Sequence, residues 1–71
     1  MQYLVVIEKG ETGYGASVPD LPGCVAEGDT RDEVLRHIEK AIESHIQGLK
    51  AAGEPVPAPN AQGALVDVHS A

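Results

Sequence analysis

Carboxylates are the commonest reactive groups in this sequence, and metal-dependent hydrolysis is the chemistry that they could serve. Metal-dependent nucleases gather several carboxylates on a sheet and a neighbouring helix. The candidates here are Asp20, Glu27, Asp29 and Glu33. We expect Asp20 in a turn and Glu33 in a helix cap, so only Glu27 should project from a strand interior, and toward solvent. The four carboxylates are not predicted to converge, and a degenerate nuclease is the least favoured class.

Histidine and cysteine give no stronger case for catalysis. His37 and His45 lie eight residues apart, and neither belongs to the i, i+4 pair that commonly holds zinc on a helix. Cys24 follows a turn glycine and starts an apolar run, so we expect a small buried residue rather than an activated nucleophile. As the single cysteine, it cannot form an intramolecular disulfide. The sequence therefore predicts a protein that is not an enzyme and has no cofactor or metal site.

Charge narrows the class of partner. The chain has 71 residues and a formal net charge of -6, with only five Lys and Arg residues, which are scattered. Nucleic-acid-binding proteins normally carry a basic patch, so direct binding to DNA or RNA is not expected. Acidic surfaces suit basic protein partners, although such charge can also serve only solubility. With no signal peptide and no membrane-length apolar run, a cytoplasmic location is predicted.

Three strands followed by a helix are predicted to position these groups. Residues 3–7 are apolar on both faces, which favours a central strand. A turn with two glycines leads to alternating residues 14–18, and residues 24–28 form a third strand. Pro19 and Pro22 prevent continued pairing between the second and third strands. The expected architecture is a three-stranded antiparallel meander in a single α+β domain, residues 1–71.

The helix is predicted over residues 31–52, because apolar residues follow a 3.6-residue period there. Thr30 is the expected N-cap, and Glu33 completes a capping box. An extended Pro-rich connection follows at 54–63, and apolar residues 65–68 predict a short fourth strand at a sheet edge or a pairing segment for another chain. The expected structural motif residues are Pro19, Asp20, Leu21, Pro22, Gly23, Cys24, Thr30 and Glu33.

The run from Tyr14 to Thr30, with Val18-Pro19-Asp20-Leu21-Pro22-Gly23-Cys24 at its centre, resembles the HicB-like antitoxin family of type II toxin–antitoxin systems. Gly53-Glu54-Pro55-Val56-Pro57-x-Pro59 behind the helix extends the resemblance. It implies a β-β-β-α-β domain with a partial RNase H-like fold. It also implies a partner, a small basic HicA-type toxin that cleaves mRNA and whose active site the antitoxin masks. We expect a short member without a C-terminal DNA-binding domain.

The expected contact residues are acidic, to match a basic toxin. They are Glu27, Asp29, Asp32, Glu39 and Glu43. For each of them, a solvated surface position is the alternative. A second function also stays open, a self-associating regulatory or binding module without a cognate toxin. Scarce aromatic residues and the apolar 65–68 run further predict a homodimer or a larger even oligomer.

Overall fold

Three short strands and one long helix make up the secondary structure of the computed structural model, which describes residues 1–69. The elements are β1 (Val6–Lys9), β2 (Tyr14–Ser17), β3 (Val25–Gly28) and α1 (Arg31–Ala51). The strands pair antiparallel in the order β1-β2-β3. The predicted α+β class, a meander followed by a helix packed on the sheet, is confirmed.

The core lies between the sheet and α1. Ile7, Ala16 and Ala26 are opposite one another across the three strands, and all three belong to the packed apolar cluster. From the helix, Val34 and Ile38 meet them as the fully buried members of the apolar stripe. The buried core residues are Ala16, Val18, Leu21, Cys24, Val34 and Ile38.

The link between β2 and β3 contains a tight turn, and the side chain of its first residue, Leu21, belongs to the core. The Cys24 amide donates to the Leu21 carbonyl at 3.0 Å, and Gly23 has a φ of +84°, which a type II turn requires at its third position. Leu21 is fully buried and packs in the core cluster. Pro22 and Gly23, the two central turn residues, are exposed. The turn therefore both reverses the chain and fixes one core side chain.

Side chains cap the start of α1. Thr30 Oγ1 accepts from the Glu33 amide at 3.1 Å, while Glu33 Oε1 accepts from the Asp29 amide at 2.9 Å. The first bond satisfies one of the amide groups that the helix leaves without partners, while in the second Glu33 reaches past the Thr30 N-cap to the residue before it. At the other end, Gly53 has a φ of +71°, and the amide of Glu54 reaches back to the Leu49 carbonyl at 2.9 Å. These contacts fix where the helix starts and stops.

The Pro-rich connection is fastened to the body at two points. The Tyr3 hydroxyl donates to the Pro57 carbonyl at 2.6 Å. Asp20 Oδ2 accepts from the amides of Asn60 and Ala61, at 3.1 and 2.9 Å. Asp20 sits beside the β2–β3 turn, so this carboxylate joins the turn to a segment forty residues away. The sequence predicts Asp20 as a turn residue, but no local pattern predicts this contact with residues 60 and 61.

Two details of the predicted sheet require correction. The first strand was expected at residues 3–7 and in the centre; β1 instead runs Val6–Lys9 at an edge, with β2 in the centre. Residues 3–5 precede the strand, and Tyr3 and Val5 pack against the core. The fourth strand expected at 65–68 is not formed in this chain: those residues are exposed and lack strand pairing. Without that neighbour, β1 remains an edge strand.

Candidate partner-binding surface

The helix covers one face of the sheet and leaves the other face open. Side chains alternate along a strand, so the residues between the core positions point away from α1. One row across this open sheet face is Val6, Ser17 and Val25, and the next is Glu8, Gly15 and Glu27. Val25 is 65% exposed, and its neighbours on this face are Ser17, opposite it on β2, and Glu27, two residues along β3.

The open sheet face is shallow, concave and acidic. Its concavity has a volume of about 970 Å³ and extends past the sheet to the start of α1. Small residues form its floor; a Cβ built on Gly15 would meet no heavy atom within 4 Å. Of the charged residues that border this concavity, Glu8 and Glu27 project from the open sheet face itself, and Lys9, Asp29 and Glu33 lie at its margin. Four carboxylates against one ammonium give the surface a negative potential that would attract a basic partner.

The five predicted contact residues do not share one surface. Glu27 and Asp29 line the open sheet face. Asp32, Glu39 and Glu43 are exposed on α1, which packs against the opposite face of the sheet. The prediction thus combined residues from two sides of the domain.

Glu8 was missed as a candidate for the same surface. Residues 3–7 were interpreted as a strand that is apolar on both faces, which placed Glu8 in the following turn. Because β1 starts at Val6, Glu8 is instead a strand residue, opposite Gly15 and on the same face as Glu27. Val6 and Ile7 are both apolar, so no alternation of apolar and polar residues marks Glu8 as a strand residue in the sequence.

The groups that could have been catalytic have structural partners. Cys24 is buried, and its burial raises the pKa of the thiol, which keeps it protonated and unreactive. His37 Nδ1 lies 2.6 Å from the Glu27 carbonyl oxygen, so that nitrogen carries the proton and donates.

Within residues 1–69, no three His, Cys, Asp or Glu residues are grouped closely enough to hold a metal ion. In the same range, no helix combines the length and apolar character needed to cross a membrane.

A meander covered on one face by a single helix, with the other face open and acidic, defines a small α+β domain. The family described as HicB_like antitoxin of bacterial toxin-antitoxin system matches residues 3–69. The chain therefore belongs to the HicB-like antitoxin family.

Relatives of this chain include short and long proteins. A UPF0150 protein of Thermoplasma acidophilum is 44% identical over 71 residues, covering 99% of this chain and all of that protein. Antitoxin HicB 2 of Photorhabdus laumondii is 33% identical over 69 residues, covering 96% of this chain but only 50% of the antitoxin. The chain thus spans the whole of one relative and half of another.

A solved structure shares the fold. It is described as the HicA3 and HicB3 toxin-antitoxin complex, and the matched chain superposes with a TM-score of 0.72 at 32% identity. The match covers 84% of this chain and 70% of that chain.

Proposed function

We propose that this protein is an antitoxin that binds a small basic HicA-type toxin and neutralises it by covering its active site. Membership of the HicB-like antitoxin family supports this role, as does the structural likeness to a chain of a HicA–HicB complex. The protein acts in this proposal by binding alone, as a stoichiometric inhibitor. The observation that carries the proposal is the open sheet face, which is concave, acidic and uncovered.

The open sheet face suits a basic protein better than the outer surface of α1. An exposed ion pair on a convex helix contributes only about 0.2–1 kcal/mol, because water screens it. On the sheet, Glu8 and Glu27 lie beside the exposed apolar side chains of Val6 and Val25. A partner that covers the valines also removes water from around the carboxylates, which strengthens their attraction to lysine or arginine. We therefore place the main toxin contact here, and a secondary one on Asp32, Glu39 and Glu43.

The test compares two double charge reversals of equal size on the two surfaces. Glu8→Lys with Glu27→Lys alters the open sheet face, and Glu39→Lys with Glu43→Lys alters α1. Wild-type protein is first purified from its native host, and a co-purifying HicA-type protein is identified by mass spectrometry. Titration calorimetry with that toxin should show binding weakened at least tenfold by the sheet pair and less by the helix pair, since the sheet contacts are the desolvated ones.

Masking is tested separately from binding. Equimolar wild-type protein should stop cleavage of a reporter mRNA by the purified toxin, and the sheet-face variant should restore cleavage at the same concentration. If the helix pair alone weakens binding, the contact surface is wrong while the antitoxin role stands. If the toxin is bound but still cleaves RNA, active-site masking is wrong. If no HicA-type protein binds at all, the antitoxin role itself fails.

A further inference from the structure

The two edges of the sheet differ in how far they are covered. At the β3 edge, the Glu27 carbonyl accepts from His37, and Gly28 lies against the backbone of α1. At the β1 edge, no backbone hydrogen bond among residues 1–69 reaches Val6–Lys9 from the side away from β2. An uncovered edge strand is a template for pairing with another segment. The free hydrogen-bonding capacity of this sheet is therefore concentrated at β1.

An apolar segment, residues 65–68, lies beside this edge with its side chains exposed. The chain passes Leu4 at Gly63, where an added Cβ would be 3.4 Å from Leu4 Cδ1. Leu4, Val6 and Leu65 line a small groove there. Beyond it, Leu65, Val66 and Val68 are 105%, 78% and 80% exposed. Three large aliphatic side chains in four residues are rarely left in water by a domain in which only six of residues 1–69 are buried.

We propose that the segment 64–68, here termed the exchange segment, adds as a strand to the β1 edge of a second copy of this chain. Five extended residues span about 16 Å, enough to run along a four-residue strand. In each copy, the exchange segment starts next to β1 of the same chain. A twofold axis beside β1 would therefore let the segment of each copy pair with the β1 edge of the other. Such a contact is isologous and closes at two chains. It goes beyond the proposed toxin binding, because it uses the backbone edge of β1 and not the side chains of the open sheet face.

A second copy explains the observations better than pairing within one chain. Anchored through Asn60 and Ala61, the segment already lies beside β1 of its own chain, yet it remains unpaired and exposed. Exchange between two copies would bury the three aliphatic side chains of each exchange segment and would cover the β1 edge of both copies. For a domain of this size, such burial is a substantial addition to a small core.

The test measures assembly and contact together. Sedimentation equilibrium of the full chain should show a dimer at micromolar concentration. Val68→Asp should raise the dimer dissociation constant at least tenfold, and Leu65→Asp should do the same. Val25→Asp is the matched control, because it places the same charge on an exposed valine of the open sheet face and should leave the dimer intact. Isotope-filtered NOE spectra of mixed labelled and unlabelled chains should connect residues 65–68 of one copy to Val6–Lys9 of the other.

Each alternative to this strand-exchanged dimer predicts a different experimental result. A monomeric wild type overturns the proposal, and NOE contacts confined to one chain would show instead that the segment forms a fourth strand on its own sheet. A dimer that Val25→Asp dissociates and Val68→Asp does not would place the interface on the open sheet face. All of these variants change exposed residues, so circular dichroism should show the fold unchanged in each.

Discussion

Gly28→Ala should destabilise the domain sharply, while Gly15→Ala should not. Both glycines lie within the sheet, and neither has a positive φ, so alanine is compatible with either backbone conformation. They differ in what a methyl group would meet. At Gly28 the new Cβ would lie 2.7 Å from Val34 N and 3.0 Å from Val34 Cα. At Gly15 it would project from the open sheet face into solvent.

The magnitude follows from how far the helix must move. Ordinary van der Waals contact begins at 3.4 Å, so the start of α1 would have to shift by about 0.7 Å. That shift disturbs the Thr30–Glu33 cap and the burial of Val34 together. Overpacking of this kind costs about 1–3 kcal/mol, which lowers Tm by roughly 4–8 °C for each kcal/mol in a domain this small. Gly15→Ala should instead stabilise by about 0.4–1 kcal/mol, because alanine restricts the unfolded chain.

The assay is urea unfolding followed by circular dichroism, at one fixed protein concentration because self-association would shift the midpoint. We expect the midpoint to fall for Gly28→Ala and to stay or rise for Gly15→Ala, with similar slopes. Equal losses in the two variants would refute the reasoning, since they would show that any side chain, whatever its surroundings, harms the sheet. No loss at Gly28 would show that the helix is not seated closely against β3.

Two further predictions concern other parts of the fold. Asp20→Ala removes the acceptor for Asn60 and Ala61 and should speed exchange of those two amides at least tenfold in NMR, with Asp67→Ala as an exposed control that leaves them unchanged. At Cys24, burial raises the thiol pKa, so the folded state keeps its proton above the pH at which the unfolded chain loses it, near 8.5. Stability should therefore fall as pH rises beyond about 8.5, and urea titrations should show a smaller decline for Cys24→Ala; equal declines would contradict this cause.

Local chemistry made much of the fold predictable from the sequence. The helix start is specified by Thr30 and Glu33, and its stop by Gly53, because caps and φ preferences act over a few residues. The meander follows from prolines and glycines between short apolar runs. Each of these signals lies within about four residues of the structure that it determines.

Features that depend on distant residues were harder to predict. The strand at residues 3–7 was expected two to three residues early, because Tyr3 and Val5 are apolar for packing rather than for pairing. That shift hid Glu8 from the predicted contact surface. The candidate carboxylates were chosen from the sheet edge and the acidic helix face, and only the strand register together with the packing of α1 on the sheet separates Glu27 on one side of the domain from Glu39 and Glu43 on the other. The Asp20 contact spans forty residues, and no local sequence pattern predicts it.

The fastening of the Pro-rich connection also sets an order of assembly. The hairpins and the helix cap join residues that are close in sequence, whereas Tyr3 and Pro57 are 54 positions apart. Closing such a loop costs about 1.5 kcal/mol more in chain entropy than closing one of ten residues. We therefore expect the meander and helix to form first during folding, with the docking of residues 57–61 as the late step that completes the domain.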